Sequence, residues 1–307
     1  MKIYNCIADF KPVKNPVVTI GTFDGAHLGH RAIFKKMREE AQKYGGETVV
    51  ITFYPHPRVV LEPENTELRF IKTQERKVQE IEQAGIDHLI VVEFTKSFAG
   101  TSSEDFIRNL VLEKIKPKAL IIGYDHHFGK DRSGGIQLLE KMGEEFGFDV
   151  DMVEEQTING ITVSSTKIRN LLKEGKVKEA NLLLGHEYSI TGTVVKGKSI
   201  GKDLGFPTAN IEVADHYKLI AAVGVYACRV FFNDVVYKGM SNIGFRPTVD
   251  HGDLTIEVNI FDFNQNLYGQ EITILFVDRM RDEKKFKNLE ALRNQLFNDK
   301  KMALSLL

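Results

Sequence analysis

Apolar residues in the first 180 positions come in short runs, and segments of helical length lie between them. The runs Val17–Ile20, Thr48–Phe53, His88–Val92, Leu120–Ile122 and Phe148–Val153 predict strands. Between them Arg31–Tyr44, Thr73–Ala84, Ser102–Ile115 and Ile136–Phe146 carry the 3.6-residue spacing of helices with one apolar face. Thr101 followed by Glu104 has capping-box spacing at the start of the third helix. Strands alternating with helices predict βαβ units, hence a parallel sheet covered on both faces. Ligands of such sheets sit beyond the carboxyl ends of the strands, where the strand order reverses.

After Leu182–Gly185 the pattern changes. Ser189–Val195, Gly224–Phe232, Val235–Lys238, Thr255–Phe263 and Glu271–Val277 follow one another as strand-like runs without helices between them. In Ile256–Ile260 apolar and polar residues alternate strictly, so Glu257 and Asn259 share one face. A last segment, Glu283–Phe297, aligns Phe286, Leu289, Leu292 and Leu296 on one side of a helix. These features predict a small antiparallel β-barrel with a terminal helix. The expected domains are 1–184 and 185–307, joined by a short connection near 183–188.

Composition narrows the classes. A chain of 307 residues with 42% hydrophobic and 27% charged residues has material for two cores and is not a disordered chain. Net charge is −1, and the balance is 26 basic to 27 acidic residues up to 185 and 15 to 15 beyond it. Neither half has the basic surplus expected of a nucleic-acid binder. Cys6 and Cys228 form neither a disulfide framework nor a metal knuckle, and no apolar run approaches membrane-spanning length. The expectation is a cytoplasmic protein, a monomer or weak homo-oligomer, that handles small molecules and neither nucleic acid nor membrane.

The first strand runs into Gly21-Thr-Phe-Asp-Gly-Ala-His-Leu-Gly-His30, with a helix following. The glycines permit a tight turn, and His27 and His30 lie on one side of the helix start, where free N–H groups and the helix dipole favour phosphate. Two histidines near a helix start can also be plain surface residues. Here the whole segment resembles the His-x-Gly-His signature of the nucleotidylyltransferase superfamily, in the longer form found in bacterial FMN adenylyltransferases. The resemblance implies a Rossmann-like fold, ATP contacts from Gly21, Phe23, Asp24 and Gly25, and catalytic roles for His27 and His30. Tyr54-Pro-His-Pro57 and Gly123-Tyr-Asp-His-His-Phe-Gly129 follow later strands and resemble the flavin side, implying flavin contacts from Pro55, Pro57, Asp125 and Phe128. His126 departs from that pattern, standing where an aromatic Phe is usual. Val163-Ser-Ser-Thr-Lys-Ile-Arg169 would otherwise read as helix capping; it resembles the superfamily's phosphate motif, implying ATP contacts from Ser164, Ser165 and Thr166 and a catalytic Arg169 that neutralises departing pyrophosphate.

In the second half, Gly205-Phe-Pro-Thr-Ala-Asn210 resembles the Pro-Thr-Ala-Asn motif of riboflavin kinases, and Glu257 with the following Ile-Phe-Asp-Phe run matches the family segment holding the catalytic base. The resemblance implies Mg²⁺ held by Thr208 and Asn210 with ATP phosphates, further ATP contacts from Gly197 and Lys202, a flavin contact from Arg279, and Glu257 as base for the ribityl hydroxyl. Together the two halves resemble the bacterial bifunctional riboflavin kinase/FMN adenylyltransferase family, which implies ATP, Mg²⁺, riboflavin, FMN and FAD as ligands. FMN phosphate would attack the α-phosphorus of ATP with no protein nucleophile. Two alternatives stay open: a different phosphorylated acceptor for the first half, or a non-catalytic flavin-binding regulator.

Overall fold

A computed structural model describes residues 1–307 apart from 131–132, 198–200, 202–203 and 246–253. The chain forms two compact units, Met1–Ser165 and Thr166–Leu307.

In the first unit, strands β1 (Lys2–Tyr4), β2 (Val17–Ile20), β3 (Thr48–Tyr54), β4 (His88–Glu93), β5 (Ala119–Gly123) and β6 (Asp149–Val153) form one sheet. Its order is β1-β4-β3-β2-β5-β6, and every neighbouring pair is parallel. The expected strands are continuous apolar runs because both faces are covered. Val17, Val50, Leu89 and Ile121 pack into one buried layer, and Val18, Ile51, Ile90 and Leu120 into the other. The helices are α1 (Leu28–Tyr44), α2 (Pro57–Leu61), α3 (Gln74–Gln83), α4 (Lys96–Ala99), α5 (Ser103–Asp105) and α6 (Ile136–Phe146). A π-helical stretch, Phe106–Leu112, continues α5, and a small hairpin of β7 (Thr157–Ile158) and β8 (Ile161–Thr162) ends the unit.

From β2 the chain proceeds to β3 and β4 on one side and to β5 and β6 on the other. The order therefore reverses between β2 and β5, and the loops after Ile20 and Gly123 open at that crevice. Two details differ from expectation. The cap of α5 is one residue later than Thr101: Ser102 Oγ accepts the Asp105 N–H at 3.1 Å and donates to the Asp105 carboxylate at 2.7 Å. Strand β1 is only three residues long, too short to show any period, and forms through its pairing with β4.

In the second unit, α7 (Ser165–Lys173, starting at the boundary) and α8 (Val177–Leu184) precede β9 (Tyr188–Val195), β10 (Ala209–Glu212), β11 (Gly224–Phe232), β12 (Val235–Phe245), β13 (Leu254–Ile260) and β14 (Glu271–Arg281). The strands close an antiparallel barrel in the order β10-β13-β12-β11-β14-β9. The expected boundary at 184/185 contrasts with a division at 165/166, because the intervening helices pack on the barrel. Asn181 donates to the Phe276 carbonyl at 2.8 Å and accepts the Tyr188 N–H at 2.7 Å, and Ala222 N–H reaches the Leu172 carbonyl at 3.0 Å.

The terminal helix α9 (Leu289–Leu306) starts later and ends later than the 283–297 expected. Asn288 sets the start by accepting the Ala291 N–H at 2.9 Å. Leu289 is exposed; the face turned to the barrel continues through Leu292, Leu296, Asp299 and Ala303. Asp299 is 2% exposed and takes a two-pronged bond from Arg281 at 2.9 and 2.7 Å. A carboxylate in the apolar stripe hid the second half of the helix from the sequence pattern.

Candidate active sites

The first site begins where β2 ends. Gly21 N–H donates to the Ile51 carbonyl at 3.0 Å, and the Phe23 ring folds back so closely that a Cβ on Gly21 would lie 2.9 Å from it. Phe23 (φ 51°) and Ala26 (φ 41°) both take left-handed backbone, which costs on the order of 1 kcal/mol each and persists only where the surroundings enforce it. The enforcement is visible. Asp24 Oδ1 accepts the N–H groups of Ile71 (2.9 Å) and Lys72 (3.2 Å), and the Asp24 carbonyl accepts the Ser165 hydroxyl at 2.8 Å. Arg31 Nε donates to the Ala26 carbonyl at 3.3 Å. Asp24 and Ser165, the residues expected as ATP contacts, also hold the turn together.

His27 caps α1: its Nδ1 accepts the His30 N–H at 3.4 Å, which places the proton of the neutral ring on Nε2. The two imidazoles stack with centroids 3.6 Å apart and planes 18° from parallel. His30 Nδ1 is buried without a hydrogen-bond partner among the described residues. Burial, then His27, then Lys77 hold the His30 pKa well below the usual histidine range. Near neutral pH the ring is therefore an uncharged donor rather than a cation. Stacked at the N-terminus of a 17-residue helix, the pair faces N–H groups and a dipole that favour an anion.

On the flavin side, Pro55 is half-buried and Pro57 is the first residue of α2, whose cap His56 stacks on Phe70 at 4.1 Å. Asp125 is exposed. Phe128 is 8% exposed, and its ring packs beside Phe106 with Gly134 against its edge. His126 is pushed down to about 4 by burial and by His127, and its Nε2 is buried without a partner among the described residues. At the start of α7, Ser164 is half-buried, and one turn on Arg169 Nη2 donates to the exposed Thr166 hydroxyl at 3.2 Å.

The second site is set by strand register. Glu257 on β13 lies directly between Asn210 on β10 and Asn242 on β12, so the three side chains share one face of the barrel wall. Thr208 Oγ1 lies 3.5 Å from Glu257 Oε2. Asn210 is 6% exposed, and its Oδ1 is buried with no partner among the described residues. Gly197 permits that packing, since a Cβ there would lie 2.0 Å from Asn210 Nδ2. Lys202 lies outside the described residues. A cavity of about 430 Å³ has Thr208, Asn210 and Glu257 on its barrel side and Leu292 and Leu296 of α9 on the other.

Residues to which the sequence reading gave no role complete this wall. Asn259, two positions from Glu257 and on the same face as the alternation predicts, donates to the Pro207 carbonyl at 2.6 Å and pins the Thr208–Asn210 segment. Asn242 donates to Glu283 at 3.1 Å. Arg279 donates to the Val223 carbonyl and to Asp282, with its stem against Gly175 and its guanidinium against Gly224, and it is not among the residues lining the cavity. Arg281, two residues on, does line it.

A family model described as FAD synthetase matches residues 10–167, and one described as riboflavin kinase matches residues 184–307. Similar relatives include a bifunctional riboflavin kinase/FMN adenylyltransferase of Buchnera aphidicola, 39% identical over 97% of this chain and 96% of that one. Another, of the same description, is from Listeria monocytogenes, 38% identical over 93% and 90%. The chain belongs to the bifunctional riboflavin kinase/FMN adenylyltransferase family. Its two activities are phosphorylation of riboflavin and adenylylation of FMN, with ATP and flavins as substrates. Neither the alternative acceptor nor the regulator reading is favoured by these relatives. A solved structure described as a macrolide-efflux protein from Streptococcus pneumoniae shares the architecture, with a TM-score of 0.90 and 31% identity over 98% of each chain. Among the described residues of this chain, no helix is long and apolar enough to cross a membrane.

Proposed function

We propose that the two reactions are divided between the two sites, with adenylyl transfer at the Gly21–His30 turn and phosphoryl transfer at the Glu257 row. In the first, FMN phosphate is already an anion and needs no protein base. His27 Nε2–H and the α1 N-terminus bind and align the ATP phosphates, and neutral His30 donates a hydrogen bond to the charge developing in the transition state. Gly21, Gly25 and Phe23 shape the turn; Ser164, Thr166 and Arg169 bind phosphate oxygens, with Arg169 offsetting the charge of the leaving pyrophosphate. Pro55, Pro57, Asp125 and Phe128 contact the flavin in this site, and Arg279 contacts it in the second.

In the second, Glu257 orients the ribityl 5′-hydroxyl and takes its proton as the hydroxyl attacks the γ-phosphorus. Gly197 and Lys202 sit on the nucleotide side. The donor set fits magnesium: the orphaned, buried Asn210 Oδ1 and the neighbouring Thr208 hydroxyl are oxygen ligands, which suit a hard cation that shares its shell with phosphates. When bound there, the ion neutralises charge on the transferring phosphates. The balanced charge of both halves supports a cytoplasmic enzyme working on small molecules, as a monomer or weak homo-oligomer.

The observation that carries this reading is the register that sets Glu257 between Asn210 and Asn242. Glu257→Gln keeps the shape and removes the base. It should lower riboflavin phosphorylation by roughly 10²–10⁴-fold while conversion of supplied FMN to FAD continues at the parent rate. Product chromatography after incubation with ATP and each flavin reads both rates. Joint loss of the two conversions would refute the division.

A further inference from the structure

The turn bearing both histidines rests on a buried ammonium. Lys77 of α3 is 7% exposed, and its Nζ donates to the Thr52 hydroxyl on β3 at 3.2 Å and to the Thr22 carbonyl at 3.3 Å. Its neighbour Lys72 is neutralised in the ordinary way, by a direct ion pair with Glu80. Lys77 instead bonds two neutral oxygens, while the nearby Asp24 carboxylate accepts the backbone N–H groups of Ile71 and Lys72. Burial pushes Lys77 down to about 8 and Asp24 opposes that, so most of it is charged at pH 7. Burying an ammonium costs several kcal/mol, and a methionine would fill the same space without that cost. Stability therefore does not explain the lysine.

We propose that Lys77 is a positioning residue for adenylyl transfer: its ammonium ties the Thr22 carbonyl to the Thr52 hydroxyl and fixes the turn that aims His27 and His30. The inference rests on assigning that turn to adenylyl transfer. Thr22 begins the segment whose next residue, Phe23, is left-handed and packs edge-on against the His30 ring at 5.2 Å. A shift of the Thr22 carbonyl thus passes through Phe23 to His30. Charge acts in the same place. The charged groups that act on His30 are His27, the cap of its own helix, and Lys77 from α3, while Asp24 in the turn acts on Lys77, Arg31 follows His30 in the chain, and Lys72 and Glu80 pair with each other. Of these, His27 and Lys77 disfavour a proton on His30, so Lys77 helps to keep it a neutral donor.

The test uses the full chain with Lys77→Met, which matches the stem and removes charge and donors, and Lys77→Gln, which keeps one donor. Adenylylation of supplied FMN should fall tenfold or more in kcat with Lys77→Met, with riboflavin phosphorylation unchanged. The His30 ring, followed by NMR of labelled histidine, should titrate at higher pH in both variants. Lys77→Gln should recover part of kcat without restoring that titration. A fall in kcat with the His30 titration unmoved would reduce Lys77 to a fold support, and unchanged kcat would remove its role altogether; either overturns the proposal. If Lys77→Met does not fold, Lys77→Gln decides by the same titration. His30→Ala, run in parallel, separates the two levels: if it leaves FAD formation intact, the assignment of the turn has failed, not the lysine.

Discussion

The paired imidazoles of the first unit stand at the start of α1 and are aimed by a turn with two left-handed non-glycine residues, whereas Glu257 of the second stands mid-strand with an asparagine opposite it on either side. These placements demand different support. A strand residue is fixed by register, because a slip of one position turns every side chain to the other face of the wall. A loop has no such ladder, and here its place is taken by polar groups below the surface: the Asp24 carboxylate on two N–H groups, Ser165 on the Asp24 carbonyl, and Lys77 on the Thr22 carbonyl. The adenylylation site should therefore be sensitive to residues that touch no substrate, and the kinase site mainly to those that do.

The comparison breaks most sharply at the histidines. Loss of a preorganised transition-state donor by His30→Ala should lower FMN adenylylation about 10²–10³-fold and leave riboflavin phosphorylation untouched. Separate assays of each conversion read this directly, and equal loss in both would end the contrast between the sites. The next effect falls on the barrel. Asp299→Ala strands Arg281 in the wall beneath α9 and should cost the second unit about 3 kcal/mol, at the low end for a buried pair because Arg281 is partly exposed. Because Leu292 and Leu296 of the same helix line the cavity, the KM for riboflavin should rise while FMN adenylylation keeps its rate. A denaturant titration with both assays checks this; an unchanged KM would mean that the α9 wall does not shape the flavin pocket.

The same contrast governs what could be read in the sequence. Strands β2 and β11 and helix α6 have the expected limits because a continuous apolar run or a strong 3.6-residue stripe defines each of them alone. The face of Glu257 was legible because strict alternation around it fixes that face, whereas its expected role came only from the family resemblance of the segment. The continuation of β12 to Phe245 and the helix beyond Phe297 were not legible, since Gly239, Ser241 and Asn242 interrupt one pattern and Asp299 the other, and each is resolved only by a partner distant in sequence. Phe128 illustrates the limit of motif matching. The motif placed it in the flavin-side segment, but the Phe106 contact that buries its ring depends on the path of a separate helix. Lys77 left no trace in any pattern, because a lysine on an amphipathic helix reads as solvent-facing until its neighbours in space are known.

The smallest expected effect concerns pH, and it uses a position where the flavin-side segment departs from its family pattern. His126 has a folded-state pKa of about 4, depressed first by burial and then by His127, against about 6.5 when unfolded. The unfolded chain therefore takes up the proton first, so the stability that neutral His126 confers is present above pH 6.5 and lost as pH falls toward 4. The loss is on the order of 2 kcal/mol after allowance for the partial exposure of the ring. His126→Phe, which restores the usual aromatic, removes this titration. The difference in stability between parent and variant should grow in the variant's favour from pH 7 to pH 4. The chain has no tryptophan, so circular dichroism of the melting first unit is the suitable probe, with the barrel melt as internal reference. A difference constant over that range would show that His126 is not held neutral by burial. The loop site would then lack a pH-dependent support of its own at this position, and the contrast with the strand site would narrow to the turn and its lysine.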